Sequence, residues 1–232
     1  MDLLEPTRQA FALLLSGDRA LWQSIWLSLW VSVAAIALVA APSIALGFLL
    51  AKKRFPGQRA AVVLVQALLS FPTVVIGLVI YLLLSRRGPF GSFELLFTPW
   101  AIMFGYMVIA FPILVVFTVS AVQGADPRVY ETARCLGAGK RAIFWHVVIP
   151  AALPSITAGL AIGMGVAWFS LLAGEIISGQ YGIGYFTWEA YSLVQYPHII
   201  IGMVAIGGLG LGCTALVKLA TRPFLRWQPK GR

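Results

Sequence analysis

Charge is what this 232-residue chain has least of: 11% of its residues are Asp, Glu, Lys or Arg, with eight acids against seventeen bases. Soluble domains carry about a quarter charged residues, so the balance excludes an ordinary water-soluble fold. Disorder is excluded too, because 60% of the residues are hydrophobic and mean hydropathy is +0.90. Two cysteines, Cys135 and Cys213, stand far apart without metal-ligand spacing, which removes a disulfide scaffold and a metal centre. Two histidines, His146 and His198, and no paired carboxylates or nucleophile neighbourhood leave no catalytic set and call for no cofactor. The net charge of +9 does not indicate nucleic acid, since the bases sit at the ends of apolar runs rather than on one face among aromatic partners.

What is present is length without charge. Runs free of Asp, Glu, Lys and Arg cover residues 20–51, 60–85, 95–125, 142–174 and 190–217. About 20 helical residues cross the roughly 30 Å hydrocarbon core, so each run holds one crossing. The expectation is an all-α membrane protein of five transmembrane helices and one domain. With the N-terminus outside and the C-terminus inside, 13 of the 17 Lys and Arg fall on the cytoplasmic side. That bias sets the orientation. Arg86 and Arg87 are the local exception. No signal peptide is expected, because the first residues are acidic and positive charge follows the first apolar run.

Residues 1–19 mix leucines with polar side chains and suit an interfacial helix; residues 20–221 form the membrane domain, and 222–232 a basic cytoplasmic tail. Trp22, Trp26 and Trp30 make one stripe near the outer end of crossing one, an aromatic anchor rather than a ligand site. Crossings two and three contain Ser70-Phe71-Pro72-Thr73 and Phe111-Pro112, each expected to kink its helix. Crossing four carries Gly159, Gly163 and Gly165, and crossing five Gly202, Gly207, Gly208, Gly210 and Gly212, small residues that let helices approach closely. Residues 175–196 read as an outer loop returning toward the membrane surface. Glu175 and Lys218 fall at the edges of their crossings, which leaves the membrane interior without an acid or base to relay protons.

Residues 126–146 read as a cytoplasmic helix-turn-helix. Asp126-Pro127 has helix-start chemistry, Gly137 and Gly139 break the helix near Leu136, and a second helix begins near Lys140. The Gly139-Lys140 pair is not a phosphate loop, because Arg134 and Arg141 stand where the motif needs glycine and Ser or Thr. A secondary transporter would need an internal repeat and intramembrane charge, and a membrane enzyme a polar cluster at depth. A purely structural membrane subunit would give no reason for the spacing of this loop.

Glu131-Thr132-Ala133, three residues, Gly137, nine residues, then Val147-Val148-Ile149-Pro150 resembles the EAA signature of bacterial ABC-importer permeases, with Thr132 in place of the first alanine. Residues 69–124 resemble tungstate-type permeases, and residues 147–227 the nitrate, sulfonate and taurine group. The resemblance implies the ABC transmembrane type-1 fold in a multi-pass protein of the bacterial inner membrane. It implies a separate ATP-binding-cassette ATPase subunit, an extracytoplasmic binding protein, a second permease copy and an oxyanion cargo, tungstate or molybdate first. On that likeness Glu131, Thr132, Ala133, Gly137 and Pro150 carry the coupling to the ATPase. For the pathway the expectation is neutral donors, with Ser70, Thr73 and Ser170 beside Pro72, because fixed cations deep in a pore would hold an oxyanion too long.

Overall fold

The structure is a computed structural model describing residues 4–52, 55–124, 126–178 and 180–225. Among the described residues every regular element is a helix. The longest, α2 (Arg19–Lys52), has 34 residues and a length of about 51 Å, more than the hydrocarbon core requires. It starts where Asp18 accepts the Leu21 N–H at 2.8 Å, a side-chain N-cap.

Three helices form the core: α2, α5 (Pro99–Gln123) and α8 (Ile149–Ser178). Trp30 meets Trp100 edge to face at 5.9 Å near the start of α2 and α5, while Gly47 meets Thr118 near their ends. The two helices are therefore parallel. In contrast α8 is antiparallel to α5, since Gly159 lies on Phe117 and Gly163 on Ile113. Lipid gives apolar helices no hydrophobic reason to associate, so close fit must hold them together. A Cβ on Gly47 would lie 2.5 Å from Thr118 Cβ, and one on Gly159 2.7 Å from Phe117 Cβ. These glycines are the contact.

The glycines of α10 (Tyr196–Thr221) behave differently. Gly202 packs on Thr187 of α9 (Gly182–Ser192), but Gly207, Gly208, Gly210 and Gly212 meet nothing within 4 Å. The reason is position: α10 lies at the side of the bundle and buries Ile201, Gly202 and Cys213. On it rests α1 (Leu4–Ser16), whose Ala10 is wholly buried.

The two expected kinks differ as well. Pro112 is buried within an unbroken α5. At Ser70-Phe71-Pro72 the chain instead breaks into α3 (Gln58–Leu68) and α4 (Thr73–Leu84), bent by 98°. Pro72 takes an extended ψ of 132°. Both prolines remove a helix hydrogen bond, but α5 is gripped along its length by α2 and α8, whereas α3 buries no residue and α4 only Ile80 and Leu84. Among the described residues this pair is held far less tightly than α5. Ala61, Val62 and Val65 of α3 lie by Leu50 and Val119, while Ile80 and Tyr81 of α4 lie by Gly105 and Phe97. Together the pair returns the chain from the last turns of α2 to the start of α5. Among the described residues four helices are long and apolar enough to cross a membrane, or five if this bent pair is one span.

Candidate functional site

The helix-turn-helix forms from the residues that predict it. Asp126 caps α6 (Pro127–Cys135), accepting the Arg128 N–H at 2.9 Å, with proline at the first helical position. Gly137, at φ +82°, ends the helix. Its N–H donates to Arg134 O at 2.9 Å and the Ala138 N–H to Ala133 O at 3.0 Å, the two bonds of a Schellman motif. Gly137 thus has a local physical role: its left-handed backbone shapes the turn between α6 and the helix that follows.

Gly139 then caps α7 (Lys140–Ile143), which passes through a π-helical turn at Phe144–Val148 into α8. Pro150 has no N–H for the His146 carbonyl, and the turn before it widens, with Ile149 N–H donating to Phe144 O. Phe144 anchors this joint to the end of α2: its ring meets Phe48 at 5.5 Å, and Lys52 Nζ stands 4.3 Å over it. The elbow is firmly joined to α8 and α2, while α6 extends away from the bundle. Glu131, Thr132 and Val129 are exposed on α6, as is Leu136 just after it, at 83%.

Three of the expected pathway residues lie together at the α3–α4 break. Ser70 and Pro72 are exposed at the α3–α4 break, and Thr73 is half-buried at the first position of α4. The side chain of Ser170, in α8, lies outside the described residues, as do residues 226–232 of the basic tail. Ser32, Thr118, Thr157 and Thr187 bond back to helix carbonyls, but among the described residues neither Ser70 nor Thr73 does.

One functional group escaped the sequence reading. Glu175 is not at an exposed edge: α8 continues to Ser178 and the carboxylate is fully buried. Ser28 of α2 donates its hydroxyl proton to Glu175 Oε1 at 2.5 Å, and Gly184 N–H of α9 donates to Oε2 at 2.7 Å. Ser28 Oγ also accepts the Ile183 N–H at 3.0 Å. The carboxylate near the C-terminal end of α8 is thus enclosed by protein rather than open at the helix end. The segment expected as an outer loop contains a helix, α9, wedged among α2, α8 and α10. The glycine-flanked Gly182-Ile183-Gly184 that follows was the only local signal; Ser28 lies 147 residues away.

Comparison with known proteins places this geometry. The chain aligns at 37% identity over 114 residues with the nitrate import permease protein NrtB of Synechocystis sp., covering 49% of this chain and 41% of that one. It aligns at 38% over 130 residues with a probable anion ABC transporter permease protein of Haloferax volcanii, covering 56% of each. The chain spans about half the length of the curated relatives it matches. Its fold matches a chain of the inward-facing MetNI methionine ABC transporter with a TM-score of 0.71 at 18% identity, over 90% of this chain and all of that one. Residues 43–226 match the family model described as binding-protein-dependent transport system inner membrane component, and the chain belongs to that family.

Proposed function

We propose that this protein is the permease subunit of an ATP-driven importer, moving an inorganic or small organic oxyanion inward. The observation that carries the reading is the elbow: α6 stands clear of the bundle with Glu131 and Thr132 exposed, while its other end continues through α7 into α8. A separate ATPase gripping α6 would move α8, and with it the helices packed on α8, between two arrangements. Glu131, Thr132, Ala133, Gly137 and Pro150 are the coupling residues on this reading. Ala133, Gly137 and Pro150 act by holding the shape of the elbow, and Glu131 and Thr132 by contact.

In this proposal the chain crosses the membrane five times, N-terminus outside, with α3 and α4 as one broken crossing. The parallel run of α2 and α5 supports it, since a return crossing must lie between them. Two copies enclose the pathway, and an extracytoplasmic binding protein delivers the anion. The break at Ser70-Phe71-Pro72 leaves Thr73 and Ser70 as hydroxyls for the pathway, with Ser170 as a further donor. For the cargo, the nitrate permease and the anion permease among the relatives weigh toward the nitrate, sulfonate and taurine group over tungstate.

The test is reconstitution with the co-purified ATPase and binding protein, measuring ATP hydrolysis with nitrate, sulfonates, taurine, bicarbonate, tungstate and molybdate side by side. Stimulation by one or a few of these anions is expected. A chain that captures no ATPase and shows no anion-dependent hydrolysis would refute the reading.

A further inference from the structure

Helix α9 is the element at the outer end of the bundle with the least sequence reason to stay in place. It has 11 residues, no side-chain cap of its own at Tyr181, and a first helical residue, Gly182, at φ +94°. Isolated helices of that length are marginal. Its N–H groups at Ile183 and Gly184 are buried, where an unsatisfied donor is costly. Both are satisfied from other helices: Gly184 by Glu175 of α8, and Ile183 by Ser28 of α2, itself bonded to Glu175. A Cβ on Gly182 would run into the Glu175 carboxyl group, so the approach is as close as the backbone allows.

The geometry points to Glu175, with Ser28, as a positioning clamp that makes α9 move as one body with α8, so that displacement of the inner elbow reaches the outer surface of the permease. This rests on the ATP-driven reading above and names the part that carries the motion to the far side. The elbow enters α8 without an interrupting loop, and Glu175 lies near the other end of that same helix. Beyond the clamp, α9 and the turn after it present Trp188, Tyr191, Leu193 and Val194, all exposed, with the Trp188 and Tyr191 rings 5.7 Å apart. These side chains are what the clamp would carry.

Packing alone and hydrogen bonding make different predictions for two substitutions of nearly equal volume. Glu175→Gln retains an oxygen for the Gly184 N–H, and its amide N–H can donate to Ser28 Oγ, whose own proton turns to its helix. Glu175→Met fills the space and accepts nothing. The experiment uses the permease with its co-purified ATPase in lipid nanodiscs, Cys135 and Cys213 replaced by alanine, and Tyr191→Cys as an outer-face reporter. Amide exchange at Ile183 and Gly184 is read in the same samples. Expected for the parent and Glu175→Gln is a severalfold difference in reporter labelling between nucleotide-free and vanadate-trapped states. In Glu175→Met that difference collapses to within about twofold while ATP turnover continues, and exchange at the two amides rises roughly tenfold or more. A full labelling difference in Glu175→Met, or its equal loss in Glu175→Gln, overturns the clamp. If the parent complex itself shows no ATP hydrolysis, the importer reading is at fault. Exchange still decides the clamp in that case, and unchanged protection at Ile183 and Gly184 in Glu175→Met refutes it.

Discussion

Replacing Gly137 tests whether the elbow's shape, rather than its chemistry, couples the bundle to a motor. The residue holds φ +82° and a Cβ there would meet nothing within 4 Å, so an alanine suffers backbone strain with no steric clash. Left-handed backbone costs a non-glycine residue about 1 kcal/mol or slightly more. If docking requires this turn, the apparent affinity for the ATPase falls by the same factor as the turn's population, roughly fivefold for Gly137→Ala. Gly137→Pro does more, because the ring fixes φ near −65° and removes the N–H that bonds Arg134 O. A penalty of about 3 kcal/mol or more corresponds to a loss on the order of a hundredfold. Gly139 is the control: its φ of −70° is ordinary and its surroundings are open, so alanine's poorer N-cap is offset by the chain entropy it removes, and Gly139→Ala stays within about twofold. The assay titrates purified permease in nanodiscs with its ATPase, and membrane insertion is checked by cysteine accessibility. Parent-like affinity in Gly137→Pro, with insertion intact, would refute the reasoning.

Glu131→Ala removes an exposed side chain from α6 and is expected to lower transport-coupled ATP hydrolysis while leaving insertion and thermal stability unchanged. Asp126→Ala deletes the α6 cap, at about 1 kcal/mol, which amide exchange at Arg128 reads as a severalfold acceleration confined to that helix. Gly159→Ala forces a Cβ against Phe117 between α5 and α8 and should cost roughly 1–3 kcal/mol in thermal unfolding, whereas Gly165→Ala, in open space, should not. Thr73→Val is expected to slow anion uptake severalfold at normal membrane levels; unaffected uptake would remove Thr73 from the pathway.

The large features of this fold were legible because they depend on runs of side chains. Charge-free runs located the long helices, and Asp126-Pro127 with Gly137 located α6 to within a residue, since capping and left-handed turns are local chemistry. The break at Pro72 was read as a kink because its severity depends on neighbours: Pro112 shares the chemistry but lies in a helix that stays continuous between α2 and α8. Likewise the glycines of α8 and α10 look alike in sequence, and only the structure separates those under another helix from those facing outward. Glu175 was placed at an edge because an acid was taken to end a span. Its partners, Ser28 and the α9 amides, come from 147 residues away and from a segment read as loop. Long-range satisfaction of a buried charge leaves no periodic mark.

A gate without a motor of its own, driven through α6, can be examined in sealed vesicles carrying the permease with or without its ATPase, with binding protein outside and ATP inside, by following accumulation of labelled anion. Uphill accumulation only when the ATPase and ATP are both present is the predicted result. Uphill accumulation by the permease alone, driven by an ion gradient, would contradict the account.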